Sequence, residues 1–309
     1  MLNTIKSYKS NEIEKSEYIK KMYSFHNLLF EYKELLKTNI ISEIIINKDE
    51  LITKFKDPEI NIIINEHDHR IAPIESLNFN DYEGQETKMI LELISKDFSD
   101  NYNIFDIGAN IGWYSLAISK YFPKSTIHSF EPIPSTFKLL TKNIKLNNFK
   151  NIKINNFGFS NEDKDISFYY YKEGSGNSSL MNLADSSDIS TVSSRVMKLD
   201  NYMKTNNHSL DFIKCDVEGA EFLVFQGGAE AIKKNKPIVF SEMLRKYSLK
   251  FNYHPNDIIS FFNDMGYACY SIRGNKLHLF ELMDDDSVET NFIFLHKIKH
   301  SKIINTLNN

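Results

Sequence analysis

Asn103-Ile104-Phe105-Asp106-Ile107-Gly108-Ala109-Asn110-Ile111-Gly112-Trp113-Tyr114-Ser115 is the stretch that decides how the chain is read. The first five residues make a short buried strand, and an apolar helix follows from Trp113 to Tyr121. Between them, glycines at 108 and 112 let the backbone turn tightly and come close to a ligand. The same rhythm runs outward from there. Strands are expected at Thr126 to Glu131, Ile152 to Phe157, Asp211 to Asp216, Pro237 to Glu242, Tyr267 to Ile272 and Thr290 to His296. Helices are expected at Thr87 to Phe98, Ser135 to Leu146, 219–234 and 255–265. Such alternation predicts an α/β fold with a doubly wound, mostly parallel sheet covered on both faces. Ligands of such sheets bind outside the C-terminal ends of the strands, near the point where strand order reverses.

Four of those strand ends carry acids: Asp106, Glu131, Asp216 and Glu242. One such acid can cap a following helix, where negative charge is favoured; four on one edge point to a ligand site. The loop after Asp106 is not the dinucleotide fingerprint G-x-G-x-x-G, because position 110 is Asn and no glycine follows at 113. Glu131 stands where an acid hydrogen-bonds a ribose diol. A carboxylate at Asp106 suits the ammonium of an amino-acid moiety and repels a diphosphate, so the balance favours an adenosyl amino acid over NAD.

The chain of 309 residues carries 37 basic and 41 acidic side chains, a net charge of −4, which gives no global attraction to nucleic acid or anionic membrane. Two cysteines, Cys215 and Cys269, make no disulfide framework and fit a reducing compartment. Without an apolar leader or a membrane-length apolar run, the reading is cytoplasmic. Residues 1–80 read as a separate extension, with 81–309 as the ligand-binding domain. The extension has a helix over 12–38 with an apolar stripe at Tyr18, Met22, Phe25, Leu29, Tyr32 and Leu36, then a small antiparallel element. The stripe is expected to pack across its own domain, with a dimer seam as the alternative; the extension as a whole is a candidate substrate cap or oligomerisation element.

Phe105 to Ser115, Phe130-Glu131-Pro132-Ile133-Pro134 with Asn143 to Asn147, Met197 to Asp200, Ile213 to Glu221 and Gly227-Gly228-Ala229 together resemble the FkbM-type S-adenosylmethionine-dependent methyltransferases. The resemblance spans about residues 82–270 and includes the acidic run Tyr82-Glu83-Gly84-Gln85-Glu86. It implies a class I methyltransferase (Rossmann-like) fold with a seven-stranded sheet, S-adenosylmethionine as methyl donor, and O-methylation of a small molecule or glycan precursor, as in polysaccharide biosynthesis. Carried over by position, Asp106, Gly108, Asn110 and Gly112 form the loop beside the methionine and ribose portions. Asp216 and Glu218 lie next to where the methyl group points, and Glu83 and Asp216 count among the cofactor-binding residues. Glu131 binds the ribose hydroxyls, and Pro132 and Ile133 flank the adenine.

A hydroxyl acceptor must lose its proton, and the candidate bases are Asp216, Glu218 and Glu242, with His254 more remote. The bland alternative for Glu218 is an acid at a helix N-terminus; Glu221 reads as a capping or salt-bridging residue. Asp216, Glu218 and Glu242 also offer an oxygen set for Mg²⁺, but the expectation is metal-independent transfer. His67-Asp68-His69 and Asp284-Asp285-Asp286 read as surface loop and solvated turn. Tyr169-Tyr170-Tyr171 and the polar loop 173–195 read as a binding loop that closes over the acceptor. Two other functions remain open: a nicotinamide oxidoreductase, and a non-catalytic S-adenosylmethionine-binding module.

Overall fold

Runs without a polar face become the centre of one sheet. In the computed structural model, which describes residues 1–99, 101–170, 179–181, 190–274 and 276–307, the chain starts with helices α1 (Leu2–Lys9) and α2 (Lys15–Thr38). An antiparallel meander follows, β1 (Ile41–Ile46), β2 (Leu51–Phe55) and β3 (Asn61–Ile63), then α3 (Ala72–Phe79) and α4 (Gly84–Asp97). The alternating part begins β4 (Asn103–Ile107), α5 (Trp113–Tyr121), β5 (Thr126–Phe130), α6 (Pro134–Asn147), β6 (Ile152–Asn155). A second small sheet, β7 (Gly158–Phe159), β8 (Lys164–Tyr170) and β9 (Ser190–Met197), interrupts it, followed by α7 (Leu199–Asn206). Alternation resumes with β10 (Phe212–Cys215), α8 (Glu221–Gly227), α9 (Ala229–Asn235), β11 (Ile238–Glu242), α10 (Arg245–Ser248) and α11 (Pro255–Asp264). The chain ends with β12 (Tyr267–Arg273), β13 (Lys276–Leu279), β14 (Asn291–His296) and α12 (Ser301–Leu307).

The central sheet has the order β13-β12-β14-β11-β10-β4-β5-β6. From β6 to β11 all neighbours are parallel, and β14 inserts antiparallel between β11 and β12. The chain winds outward from β4 to β6, then returns to lay β10 on the other side of β4. The reversal of strand order therefore falls between β4 and β10. Their residues are buried on both faces, with Ile104, Phe105, Ile107, Phe212, Ile213 and Cys215 at zero exposure. This is the class I methyltransferase arrangement, with eight strands rather than the expected seven. The extra strand is β13, a four-residue hairpin partner of β12 beyond Gly274, in which Leu277 is buried while Lys276, His278 and Leu279 face solvent. It is too short and too polar to register as a strand in sequence.

Other expectations need correcting. The helix expected over 219–234 is two, because the chain bends at Gly227-Gly228. Gly227 packs so close that a Cβ would stand 2.0 Å from the Ser160 carbonyl oxygen. The loop expected over 173–195 ends in strand β9, paired antiparallel with β8; Tyr171 and most of that loop lie outside the described residues. The α2 stripe packs on its own domain only in part, with Tyr18, Met22, Phe25 and Leu36 half-buried and no residue of the helix fully buried. Tyr18 stacks on Tyr8 of α1 at 4.3 Å and Leu36 touches the core, whereas Leu29 and Tyr32 are exposed.

The β1–β3 meander shares its core with the central sheet, where Ile41, Phe55, Ile60 and Ile62 join Ile104, Trp113 and Leu140. Its dock is polar as well. On α6, Asn143 Oδ1 accepts from the Ile63 amide at 3.0 Å while its Nδ2 donates to the Ile111 carbonyl at 2.9 Å. Asn147 makes a matching pair with Asn61, accepting from its amide and donating to its carbonyl. Two asparagine amides thus serve as the next strand for the edge of the meander. Asn143→Ala leaves a buried amide and a buried carbonyl without partners and should lower unfolding stability by about 2 kcal/mol, read by denaturant melts.

Candidate active site

One cavity opens at the C-terminal ends of β4, β5, β10 and β11, beside the strand-order reversal. Tyr82 and Glu83, Gly108 and Asn110, Glu131 to Ile133, Asp216 to Glu218, and Glu242 line it, with Phe159, Phe168 and Leu180 along one wall. Of the residues expected to hold a cofactor, Glu83, Gly108, Asn110, Glu131, Pro132, Ile133 and Asp216 stand on the cavity surface. So do all three candidate bases, Asp216, Glu218 and Glu242. Asp106 and Gly112 do not. Gly112 begins α5, and Asp106 is fully buried behind the loop, its Oδ2 accepting from Ser115 Oγ at 2.5 Å.

The loop after β4 takes its shape from positive φ at Gly108 (77°), Asn110 (46°) and Gly112 (99°). A Cβ at position 108 would lie 1.8 Å from the Asp216 carbonyl oxygen, so only glycine lets the β4 and β10 loops touch. Glu131 braces the same loop from β5. Its carboxylate accepts from the Asn110 amide at 3.0 Å and from the Ile133 amide at 2.9 Å. A carboxylate has about four lone-pair sites, so two remain for hydroxyl donors in the cavity. Burial pushes the Glu131 pKa up to about 7, against the pull of those two amides.

The β10–β11 end of the cavity is crowded with acid. Carboxylate oxygens of Asp216, Glu218 and Glu242 all lie within 4.8 Å of one another, on the β10 loop and the end of β11. Burial and then the negative charge of Asp216 raise the pKa of both Glu218 and Glu242 above the ordinary range. Glu83, held in the left-handed region at φ 47°, is raised to about 7 by burial and by Asp216, while the Tyr114 hydroxyl hydrogen-bonds it. Glu218 has the same backbone conformation at φ 55°, and its carbonyl accepts from Ser179 Oγ at 2.7 Å, so part of the β8–β9 loop lies over the site. Glu221 is not in the cavity. It receives the Val217 and Gly219 amides and the Tyr253 hydroxyl, a capping role. His254 also caps, at the start of α11.

Lys214 is the residue that sequence reading passed over. A lysine inside an apolar strand signals a buried ion pair, and here its Nζ lies 3.2 Å from Asp216 Oδ2 and 3.7 Å from Asp106 Oδ1. Burial opposes its charge, but Asp216, Asp106 and Glu83 outweigh that and hold its pKa above the ordinary value. His67 and His69 are exposed, and the Asp284 turn is solvated, closed by Ser287 and the Asp286 amide.

Residues 106–269 match the methyltransferase FkbM domain. The chain belongs to the FkbM methyltransferase family. Among curated relatives, Methyltransferase 1 of Beauveria bassiana is 27% identical over 179 residues, 48% of this chain and 72% of that protein. The hexuronic acid methyltransferase AglP of Haloferax volcanii is 26% identical over 144 residues, 47% of this chain and 57% of that one. The crystal structure of methyltransferase FkbM from Methylobacillus flagellatus KT is 19% identical with a TM-score of 0.41, covering 64% of this chain and 44% of that one. Several relatives are therefore matched over little more than half their length or less.

The raised acids make stability depend on pH. Glu83, Glu131 and Glu221 have folded pKa values of about 7, above their unfolded values, so their contribution is full at low pH and lost as pH rises through 7. His128 and His300, buried and neutral with values of about 4 and 3, act oppositely once pH falls below the unfolded histidine value. The thermal midpoint of the ligand-free protein should rise as pH is lowered from about 8 to 6.5 and go on rising less steeply toward the unfolded carboxyl value, as the histidines offset part of the gain. A midpoint that falls over that interval contradicts the assignment.

Proposed function

We propose that this FkbM-family protein transfers a methyl group from S-adenosylmethionine to a hydroxyl oxygen of a sugar or glycan precursor. The observation that carries the reading is the cavity itself, with a carboxylate holding spare acceptor sites at the end of β5, next to apolar walls and opposite a cluster of acids. The residues fit the donor. Glu131 suits the ribose hydroxyls, Pro132, Ile133 and Phe159 suit the adenine, and the acids suit a cationic amino-acid portion. Bound there, the donor supplies an activated methyl group on a sulfonium that is already a good leaving group. The name of the Haloferax relative supports a sugar acceptor.

What the protein contributes is alignment, exclusion of water and removal of one proton. Gly108 and Asn110 place backbone against the donor, while Phe168 and Leu180 close one side. Glu218, with Glu242 beside it, receives the acceptor hydroxyl proton. Burial and then the charge of Asp216 raise both pKa values, which makes each carboxylate a stronger base once ionised. Family membership favours methyl transfer over hydride transfer and over a non-catalytic binding module. Residues 1–80 act as an extension to the 81–309 domain, and a second copy pairing on exposed Leu28, Leu29 and Phe30 of α2 makes a homodimer.

Glu131→Gln should weaken S-adenosylmethionine binding by about tenfold or more in calorimetry, losing an ionised acceptor for two hydroxyls. Glu218→Gln should keep donor affinity and lose about a hundredfold or more in methyl transfer to a sugar acceptor. Normal donor affinity in the first variant, or full turnover in the second, removes the respective assignment. The spacing of Asp216, Glu218 and Glu242 also favours a second reading, in which a divalent cation lowers the acceptor pKa. Under the base mechanism, chelator-treated enzyme should keep its turnover. A loss restored by Mg²⁺ would select the cation instead.

A further inference from the structure

We infer that Lys214 is a positioning residue that aims the donor-binding surface, an inference resting on the cofactor reading above. The side chain is 3% exposed, in a strand at the centre of the sheet. An ammonium persists in such a place only when fully partnered. Its partners come from both sides of the strand-order reversal. Nζ donates to the Gly108 carbonyl at 2.9 Å, pairs with Asp216 and Asp106, and lies 5.2 Å from the centroid of the Tyr114 ring.

Two of these groups, Gly108 and Asp216, line the cavity, and Tyr114 carries the contact on to a third, because its hydroxyl bonds Glu83. Lys214 itself does not line it, so it acts through them. Parallel pairing puts Lys214 directly beside Asp106, with Asp216 two residues further on the same face. Asp106 Oδ1 is buried with no hydrogen-bond partner among the described residues, so the ion pair is its compensation. The lysine therefore has two separable roles. It neutralises Asp106, and it fixes the direction of the Gly108 carbonyl and the Asp216 carboxylate.

The test compares the full chain with Lys214→Met, Lys214→Arg and the double variant Lys214→Met/Asp106→Asn, reading thermal midpoint, calorimetric affinity for S-adenosylmethionine, and donor KM against kcat. Lys214→Met should lose stability and about tenfold or more in donor affinity. The double variant removes the orphaned charge, so it should recover most of the midpoint while its donor affinity stays weak and its donor KM high. Lys214→Arg should restore part of the affinity. A folded double variant that binds the donor within about twofold of the unmodified protein would overturn the inference, leaving Lys214 as a neutraliser of Asp106 alone. An unmodified protein that binds neither S-adenosylmethionine nor S-adenosylhomocysteine would overturn the cofactor reading and the inference with it.

Discussion

The pairing of β10 with β4 around a buried Lys214 is the constraint from which the site follows. Parallel register sets Lys214 opposite Asp106 in a layer where neighbouring residues have no exposure at all. Breaking such a pair by losing one partner costs more than the pair contributes, because the remaining charge stays buried. The two strands are thus held together by more than apolar contact, and the loops that leave them are held too. Gly108 can approach Asp216 only because it has no Cβ, and Lys214 then bonds its carbonyl. The Gly108 backbone and the Asp216 carboxylate are parts of one electrostatic unit.

The meander reaches this unit from outside. Asn143, a polar residue on the inner face of α6, is the link, with one end of its amide on Ile63 of β3 and the other on Ile111 in the loop after β4. The meander therefore supports the loop after β4 as well as covering its own edge. Tyr82 and Glu83, just past the proposed boundary at residue 80, enter the cavity directly. In this fold residues 1–80 share one core with the alternating part of the chain.

Legibility in the sequence followed chemistry that looked out of place. An acid ending an apolar run has no packing reason to be there, and Glu131, Asp216 and Glu242 could be found on that ground; all three line the cavity. Asp106 met the same test yet lies behind the surface, because it sits in register with Lys214, two residues short of the level at which Asp216 reaches the cavity, and the one-dimensional pattern does not mark that depth. Asn143 and Lys214 were harder. A single Asn in an amphipathic helix or a Lys in a strand has ordinary surface explanations, and only three-dimensional pairing shows them to be buried. The α2 stripe failed in part, for another reason: periodicity shows that a helix has an apolar face, not what covers it.

The abundance of acid has a consequence for turnover under the proposed reaction. Glu83, Glu218 and Glu242 are raised first by burial and then by the negative charge of Asp216. A donor carrying a sulfonium offsets that charge, whereas the product after transfer carries a neutral thioether. The positive charge that the acids attract is thus lost in the chemical step. The proton released by the acceptor goes to the same cluster, where it offsets the positive charge that has just departed. One buried lysine, 3.2 Å from Asp216 Oδ2, holds that carboxylate in place within the cluster.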